Sequence, residues 1–324
     1  MKAICVFSGG LDSMLAAEVI RAQGIDVLAL FFETPFFTSG KAKKSALAMN
    51  LAVKVIDITR RHLEVVKHPT HGYGNNMNPC VDCHALMFRI AGEMLKPEGA
   101  DFVFTGEVLG QRPMSQNKGS LNLIATESGL GPLLLRPLSA KCLAATIPEE
   151  KGWVQREELL DFQGRSRKPQ MELAKRLDIR EYPSPAGGCL LTEKGFSRRL
   201  KDLLSAKTDI ETRELELLKL GRHFRIGPHT KIVVGRNKTE NKIIRTLAGE
   251  QDTLLRSVSV PGPTALLAGE HSGKILDMAA SITAAYSDTA GRNVSDVGME
   301  QGPHMNKVLS ARVCDKEEFK RYMI

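Results

Sequence analysis

The sequence predicts an α/β protein whose first half is a doubly wound parallel sheet. Three observations carry that prediction. Short apolar runs alternate with stretches of helical periodicity through the first 140 residues. A Ser/Gly-rich turn, Ser8-Gly9-Gly10-Leu11-Asp12-Ser13, joins the first apolar run to the first helix. Ser8, Phe32 and Gly106 all follow or end strand-like runs, and open α/β sheets hold ligands at the carboxyl ends of their strands.

The elements follow in order. Residues 2–7 (KAICVF) read as a buried strand, and residues 14–22 carry apolar side chains at helical spacing. Residues 26–32 (DVLALFF) give a second strand, 41–50 a helix and 54–58 a third strand. Residues 81–95 (VDCHALMFRIAGEML) are helical in pattern, 101–105 (DFVFT) form a fourth strand, and 133–135 a short fifth. A Pro/Gly/Arg-rich middle follows. The last quarter restarts the alternation, with strands at 230–234 and 264–267 and helices at 238–247 and 273–285. The expected division is a nucleotide-binding domain at 1–148, a middle segment at 149–220 and a smaller α/β domain at 221–324.

A chain of 324 residues is long enough for two or three domains. Its formal net charge of +8 favours an anionic partner, and a nucleotide loop beside that charge makes nucleic acid the natural one. No N-terminal signal pattern and no apolar run of about 20 residues is present, so the expectation is a cytoplasmic protein without a membrane segment. Six cysteines in that setting point to metal binding, catalysis or burial rather than disulfides.

The turn at 8–13 is built for phosphate. Free backbone N–H groups at a helix start and the helix dipole both favour an anion. Gly9 and Gly10 let the backbone approach it closely, Ser8 and Ser13 offer hydroxyls, and Asp12 is placed for Mg2+ or for capping. The Lys-Ser/Thr pair of the Walker loop is missing. The turn instead resembles the PP-loop, SGGxDS, of the ATP pyrophosphatases. That resemblance implies an adenine nucleotide alpha hydrolase-like fold, and ATP cleaved between its α- and β-phosphates. Phe32 ends the second strand, where adenine would be packed.

The fourth strand runs into Thr105-Gly106-Glu107-Val108-Leu109-Gly110-Gln111-Arg112-Pro113-Met114-Ser115-Gln116, and Leu135-Arg136-Pro137-Leu138 follows. These stretches, with Phe31-Phe32-Glu33-Thr34-Pro35-Phe36-Phe37-Thr38-Ser39, resemble segments of the tRNA 4-thiouridine synthetases over roughly residues 1–145. Gln111, Arg112, Ser115 and Gln116 offer polar groups near the nucleotide crevice. No counterpart of those enzymes' N-terminal tRNA-binding domains is present, so the tRNA position stays open, as do the choice of O2 or O4 and the oligomeric state.

Asn78-Pro79-Cys80-Val81-Asp82-Cys83-His84 places two thiols three residues apart at a helix start, where the dipole lowers a thiol pKa. Cys189 lies in a Gly-rich loop. Two plus one cysteines on a PP-loop chain resemble the tRNA thiolases that hold a 4Fe–4S cluster through three cysteines, which implies that Cys80, Cys83 and Cys189 ligate one. Three other readings stand beside it. Either Cys80 or Cys83 could work with Cys189 as a persulfide and disulfide pair, zinc could take these cysteines with His84, or the thiols could be inert. Cys5, Cys142 and Cys314 read as buried or idle.

Residues 231–241 (KIVVGRNKTEN), 260–264 (VPGPT) and 278–287 (MAASITAAYS) resemble, in order, elements of the NFACT RNA-binding domain. Arg222, His223, Arg225, Arg236 and Lys238 would then face phosphates, which position RNA without reading sequence. Together these resemblances imply an ATP-dependent tRNA thiouridine synthetase. Asp12, Cys80, Cys83 and Cys189 would carry the chemistry, and sulfide or a persulfide-carrying protein would supply sulfur. A PP-loop enzyme with a non-sulfur acceptor and a non-catalytic RNA-binding factor remain the alternatives.

Overall fold

The first strand shows how the chain builds two faces at once. In the computed structural model, β1 (Lys2–Val6) turns Ala3 and Cys5 to one side of the sheet and Ile4 to the other, all fully buried. Side chains alternate across a strand, so a continuous apolar run belongs to a strand covered on both faces. The described residues are 1–184, 189–269, 272–289, 291–301 and 304–324.

The chain divides into two units, Met1–Thr192 and Glu193–Ile324. In the first, β1 is joined by β2 (Asp26–Glu33), β3 (Val53–Asp57), β4 (Phe102–Thr105) and β5 (Leu134–Leu135). Every pairing is parallel, and the order is β3-β2-β1-β4-β5. The strand order reverses at β1, so the turns after β1 and β4 flank the crevice where such sheets take ligands. Helices α1 (Leu11–Arg21), α2 (Gly40–Ala48), α3 (Thr59–Lys67), α4 (Cys80–Glu93), α5 (Leu95–Glu98), α6 (Lys118–Glu127), α7 (Ile147–Glu150) and α8 (Lys168–Arg176) complete the unit. Phe102 and Phe104 face one core with Leu11 and Ala17, while Val103 faces the other with Phe88 and Ile124.

The expected boundary at 148 meets continuous packing. Val154, Leu159, Leu173 and Ala174 share one core with the first helix and the sheet, which carries the segment up to 192 into the first unit. Residues 193–220 begin the second unit as α9 (Lys194–Ala206) and α10 (Thr212–Leu217).

The second unit holds a six-stranded sheet: β6 (Arg222–Arg225), β7 (Lys231–Val234), β8 (Thr253–Ser257), β9 (Thr264–Ala268), β10 (Val294–Gln301) and β11 (His304–Arg312). Its order is β11-β10-β8-β9-β7-β6, and its pairings are antiparallel. Helix α12 (Gly273–Ala285) buries Ala279, Ala280, Ile282 and Ala284 against one face of the sheet. Helix α11 (Lys238–Leu247) sets Ile244 against Val233 and Leu266. No helix among the described residues is long and apolar enough to cross a membrane.

Candidate active site

The turn between β1 and α1 is held open by two glycines. Gly9 has φ +74°, and a Cβ there would lie 2.5 Å from the Ala42 Cα. Gly106, just past β4, comes so close to the first turn of α1 that a Cβ would sit 2.5 Å from the Asp12 carbonyl and the Ser13 nitrogen. Both positions therefore exclude any side chain. Gly10 differs: its φ is −80°, and a Cβ would meet only the Ser8 Oγ at 3.4 Å.

The hydroxyls already shape the turn. Ser13 Oγ donates to the Gly10 carbonyl at 2.8 Å, and Ser8 Oγ donates to Ser13 Oγ at 3.3 Å. Ser13 is buried and Ser8 exposed, so Ser8 is the hydroxyl facing outward. Asp12 Oδ2 accepts from Gln111 Nε2 at 3.2 Å, while its buried Oδ1 has no partner among the described residues. Burial pushes the Asp12 carboxyl up, against the lowering pull of Gln111 and of the Arg167 and Arg112 charges. Phe32 is 3% exposed and packs with Ile58, Leu86 and Phe88, so its ring belongs to the core.

The loop that carries Gln111 is pinned by a buried ion pair. Arg136 Nε donates to Glu107 Oε2 at 3.0 Å, and His84 Nδ1 meets Glu107 Oε1 at 2.9 Å. Arg136 also donates to the Leu121 carbonyl at 3.0 Å. Burial raises the Glu107 carboxyl, but the Arg136 charge and the His84 hydrogen bond outweigh it and hold it below the usual range. His84, weighed as a zinc ligand, thus gives one nitrogen to a carboxylate. Ser115 and Gln116 are buried, and Arg112 is exposed.

Cys80 opens α4 and Cys83 follows on its next turn. The segment that carries Cys189 is tied to the chain just before them. Met77 donates its N–H to the Leu191 carbonyl at 3.2 Å, and Asn76 Nδ2 donates to the Thr192 carbonyl at 2.6 Å. Gly187 and Gly188, expected to give Cys189 its freedom, lie outside the described residues. The expected lowering of the thiol pKa is reversed. Burial pushes Cys80 up, and it pushes Cys83 well up with help from nearby Cys189, Cys80 and Asp82. Desolvation of the thiolate outweighs the helix N-terminus. Among the described residues, no three His, Cys, Asp or Glu side chains are arranged to hold a metal ion.

Sequence reasoning missed His62. It is fully buried on α3, and its Nε2 lies 3.2 Å from the Cys83 Sγ. Its ring packs against Phe36 and Phe37, each with centroids 5.4 Å away, and burial lowers its pKa to about 4. The available signal was position: His62 shares the apolar face of α3 with Leu63 and Val66. Cys5 is buried in β1, and Cys142 Sγ donates to the Asp161 carbonyl at 3.1 Å.

In the second unit the motif residues build the fold. Asn237 caps α11 by accepting from Glu240 N at 2.9 Å. Asn241 Oδ1 accepts from Thr264 N at 3.1 Å and lies 2.1 Å from where a Gly235 Cβ would stand. Gly262 is as tight against Ser287, whose hydroxyl would meet a Cβ at 2.2 Å. The expected phosphate face changes accordingly. His223 is fully buried, with Nε2 bonded to the Leu220 carbonyl at 2.8 Å. Arg225 is paired with Asp202, and exposed Arg236 with Glu240. Arg222 lies over the Tyr286 ring at 4.8 Å, and Lys238 is exposed.

Comparison with known proteins bears out two resemblances. Residues 1–141 match the family model described as thiamine biosynthesis protein (ThiI), and residues 221–323 match that of the NFACT protein RNA binding domain. Over half of this chain, a probable tRNA sulfurtransferase of Anoxybacillus flavithermus is 23% identical, the match covering 47% of that protein. Another, of Caldanaerobacter subterraneus, is 26% identical over 50% of this chain and 51% of its own length. A tRNA-specific 2-thiouridylase of Desulfosudis oleivorans is 34% identical over 31% of this chain and 30% of its own. The chain thus spans about half the length of the first two relatives.

Proposed function

We propose that this chain is a cytoplasmic, ATP-dependent tRNA sulfurtransferase. ATP binds with its phosphates on Ser8–Ser13, and Asp12, whose buried Oδ1 is unpartnered among the described residues, would hold Mg2+ there. A uridine carbonyl oxygen attacks the α-phosphorus, the bond to the bridging oxygen breaks, and pyrophosphate leaves. The carbonyl oxygen is now part of an AMP leaving group. Sulfur then attacks the activated ring carbon, AMP departs with that oxygen, and a thiouridine remains. The base must leave its stack to reach the crevice, a cost of a few kcal/mol that RNA contacts offset.

One observation carries this reading: the segment bearing Cys189 is hydrogen-bonded to the chain entering Cys80, in the same unit as the phosphate turn. Cys80 and Cys189 lie near enough to Cys83 to help push its thiol up, and three thiols are the donor type that an iron–sulfur cluster takes. Bound through three thiolates, such a cluster would supply one iron open to hydrosulfide. The second reading, Cys80 or Cys83 working with Cys189 as a persulfide and disulfide pair, is favoured for Cys83 by its contact with His62. Sulfur comes from sulfide or from a persulfide-carrying partner. Mass spectrometry of tRNA nucleosides from a deletion strain tests the proposal: loss of one thiouridine supports it, and an unchanged profile refutes it.

A further inference from the structure

Helix α3 packs on α4 and brings His62 to Cys83. The imidazole Nε2 lies 3.2 Å from Sγ, close enough for a hydrogen bond to sulfur. Both side chains are closed off from water: His62 is fully buried and Cys83 is 8% exposed. The ring is also clamped. Phe36 lies against it at an interplanar angle of 53° and Phe37 at 81°, so its orientation toward the sulfur is set by packing.

His62 stands where an apolar residue would pack more favourably. It shares the buried face of α3 with Leu63 and Val66. Its Nδ1 is buried and has no hydrogen-bond partner among the described residues. A leucine would fill the position without stranding a polar atom. What the imidazole adds is a ring N–H. A neutral imidazole carries one, and a buried N–H without an acceptor is rarer in folded proteins than a buried acceptor without a donor. The proton therefore belongs on Nε2, where Sγ accepts it. A neutral thiol is a weak acceptor, whereas a thiolate, free or bound to a metal, is a strong one. Such a donor suits a sulfur that works in its charged form.

We infer that His62 is a positioning residue for the sulfur chemistry: its Nε2–H donates to the Cys83 Sγ, fixes the direction of that sulfur and stabilises its negative charge. The inference rests on the proposed use of Cys83 and deepens it. It applies to Cys83 as an iron ligand and as a thiolate of the persulfide pair. Two measurements on the full chain test it. In iron-free protein labelled with 15N-histidine, NMR should show His62 as one tautomer with its proton on Nε2. Cys83→Ala should then speed exchange of that proton at least tenfold. A proton on Nδ1, or exchange unchanged in Cys83→Ala, would overturn the inference. In protein purified without oxygen, His62→Leu should keep its iron and shift the reduction equilibrium about tenfold toward the oxidised form, about 59 mV for one electron. His62→Gln, which keeps a side-chain N–H, should restore the potential. His62→Leu should also keep or raise Tm, because it removes the stranded Nδ1. An unchanged potential in His62→Leu would overturn the inference, and so would loss of iron from both variants alike, which marks a packing role. Iron-free wild-type protein would remove the cluster reading alone, and the tautomer and its exchange would then decide the inference.

Discussion

Arg136→Met should destabilise the first unit by about 3–5 kcal/mol, the cost of leaving a buried carboxylate without its cation. The Arg136 and Glu107 side chains are only 7% and 5% exposed, so water cannot replace the lost partner. The change also removes the bond to the Leu121 carbonyl. His84, 2.9 Å from Glu107, keeps its hydrogen bond to the carboxylate, which places the effect toward the lower end. Urea unfolding followed by tryptophan fluorescence isolates the unit, because the chain's one tryptophan, Trp153, packs beside Phe102 in its core. Glu107→Gln combined with Arg136→Met should recover most of the loss, since no charge is then stranded. Acid should act in the same direction. With its folded pKa held below 4.5, Glu107 contributes stability above that pH and loses it as pH falls through the folded value. A loss under about 1 kcal/mol, or a double variant no better than the single, would refute the reasoning.

Three further outcomes follow from the structure and the proposed function together. His223 is held neutral first by burial and then by the Lys231 and Arg199 charges, its pKa well below 6.5. The second unit should therefore lose stability as pH falls below 6.5, and His223→Gln should flatten that dependence in urea titrations at pH 7 and pH 5. Protein purified without oxygen should be brown, with about four iron and four sulfide per chain. Alanine at Cys80, Cys83 or Cys189 should strip the colour and stop thiolation while adenylation persists, and alanine at Cys142 or Cys314 should do neither. Colourless, iron-free protein that still thiolates would favour the persulfide route. Removing residues 193–324 should weaken tRNA binding but not ATP binding, and the intact chain's affinity should fall steeply with salt as counterions are released.

Much of the first unit was legible because its strands are apolar on both faces and its turns carry special residues. Gly106 illustrates the gain from structure: the sequence placed it at a strand end, and packing against Asp12 explains why it must be glycine. Helix α8 was illegible, because KPQMELAKR reads as a solvated basic helix and nothing in it announces a buried glutamine. Position on an apolar face could have exposed His62, but its contact with Cys83 joins residues 21 apart. Arg-His-Phe-Arg at 222–225 reads as a basic surface, although strand alternation turns His223 inward. Strands and helices at 230–285 read as a smaller α/β domain whose strand pairing the sequence left open. The strands β6 and β8, not read from the sequence, complete a sheet whose pairings are antiparallel.

The central claim, that this chain activates a tRNA uridine with ATP and replaces its oxygen with sulfur, meets its most direct test in one reaction. Anaerobic full-length protein, unmodified tRNA, ATP, Mg2+ and sulfide are combined, and AMP and thiouridine are counted by mass spectrometry. The account predicts one AMP for each thiouridine formed, and neither product with Asp12→Ala. Thiouridine without AMP, or AMP at the wild-type rate with no sulfur entering the RNA, would contradict it.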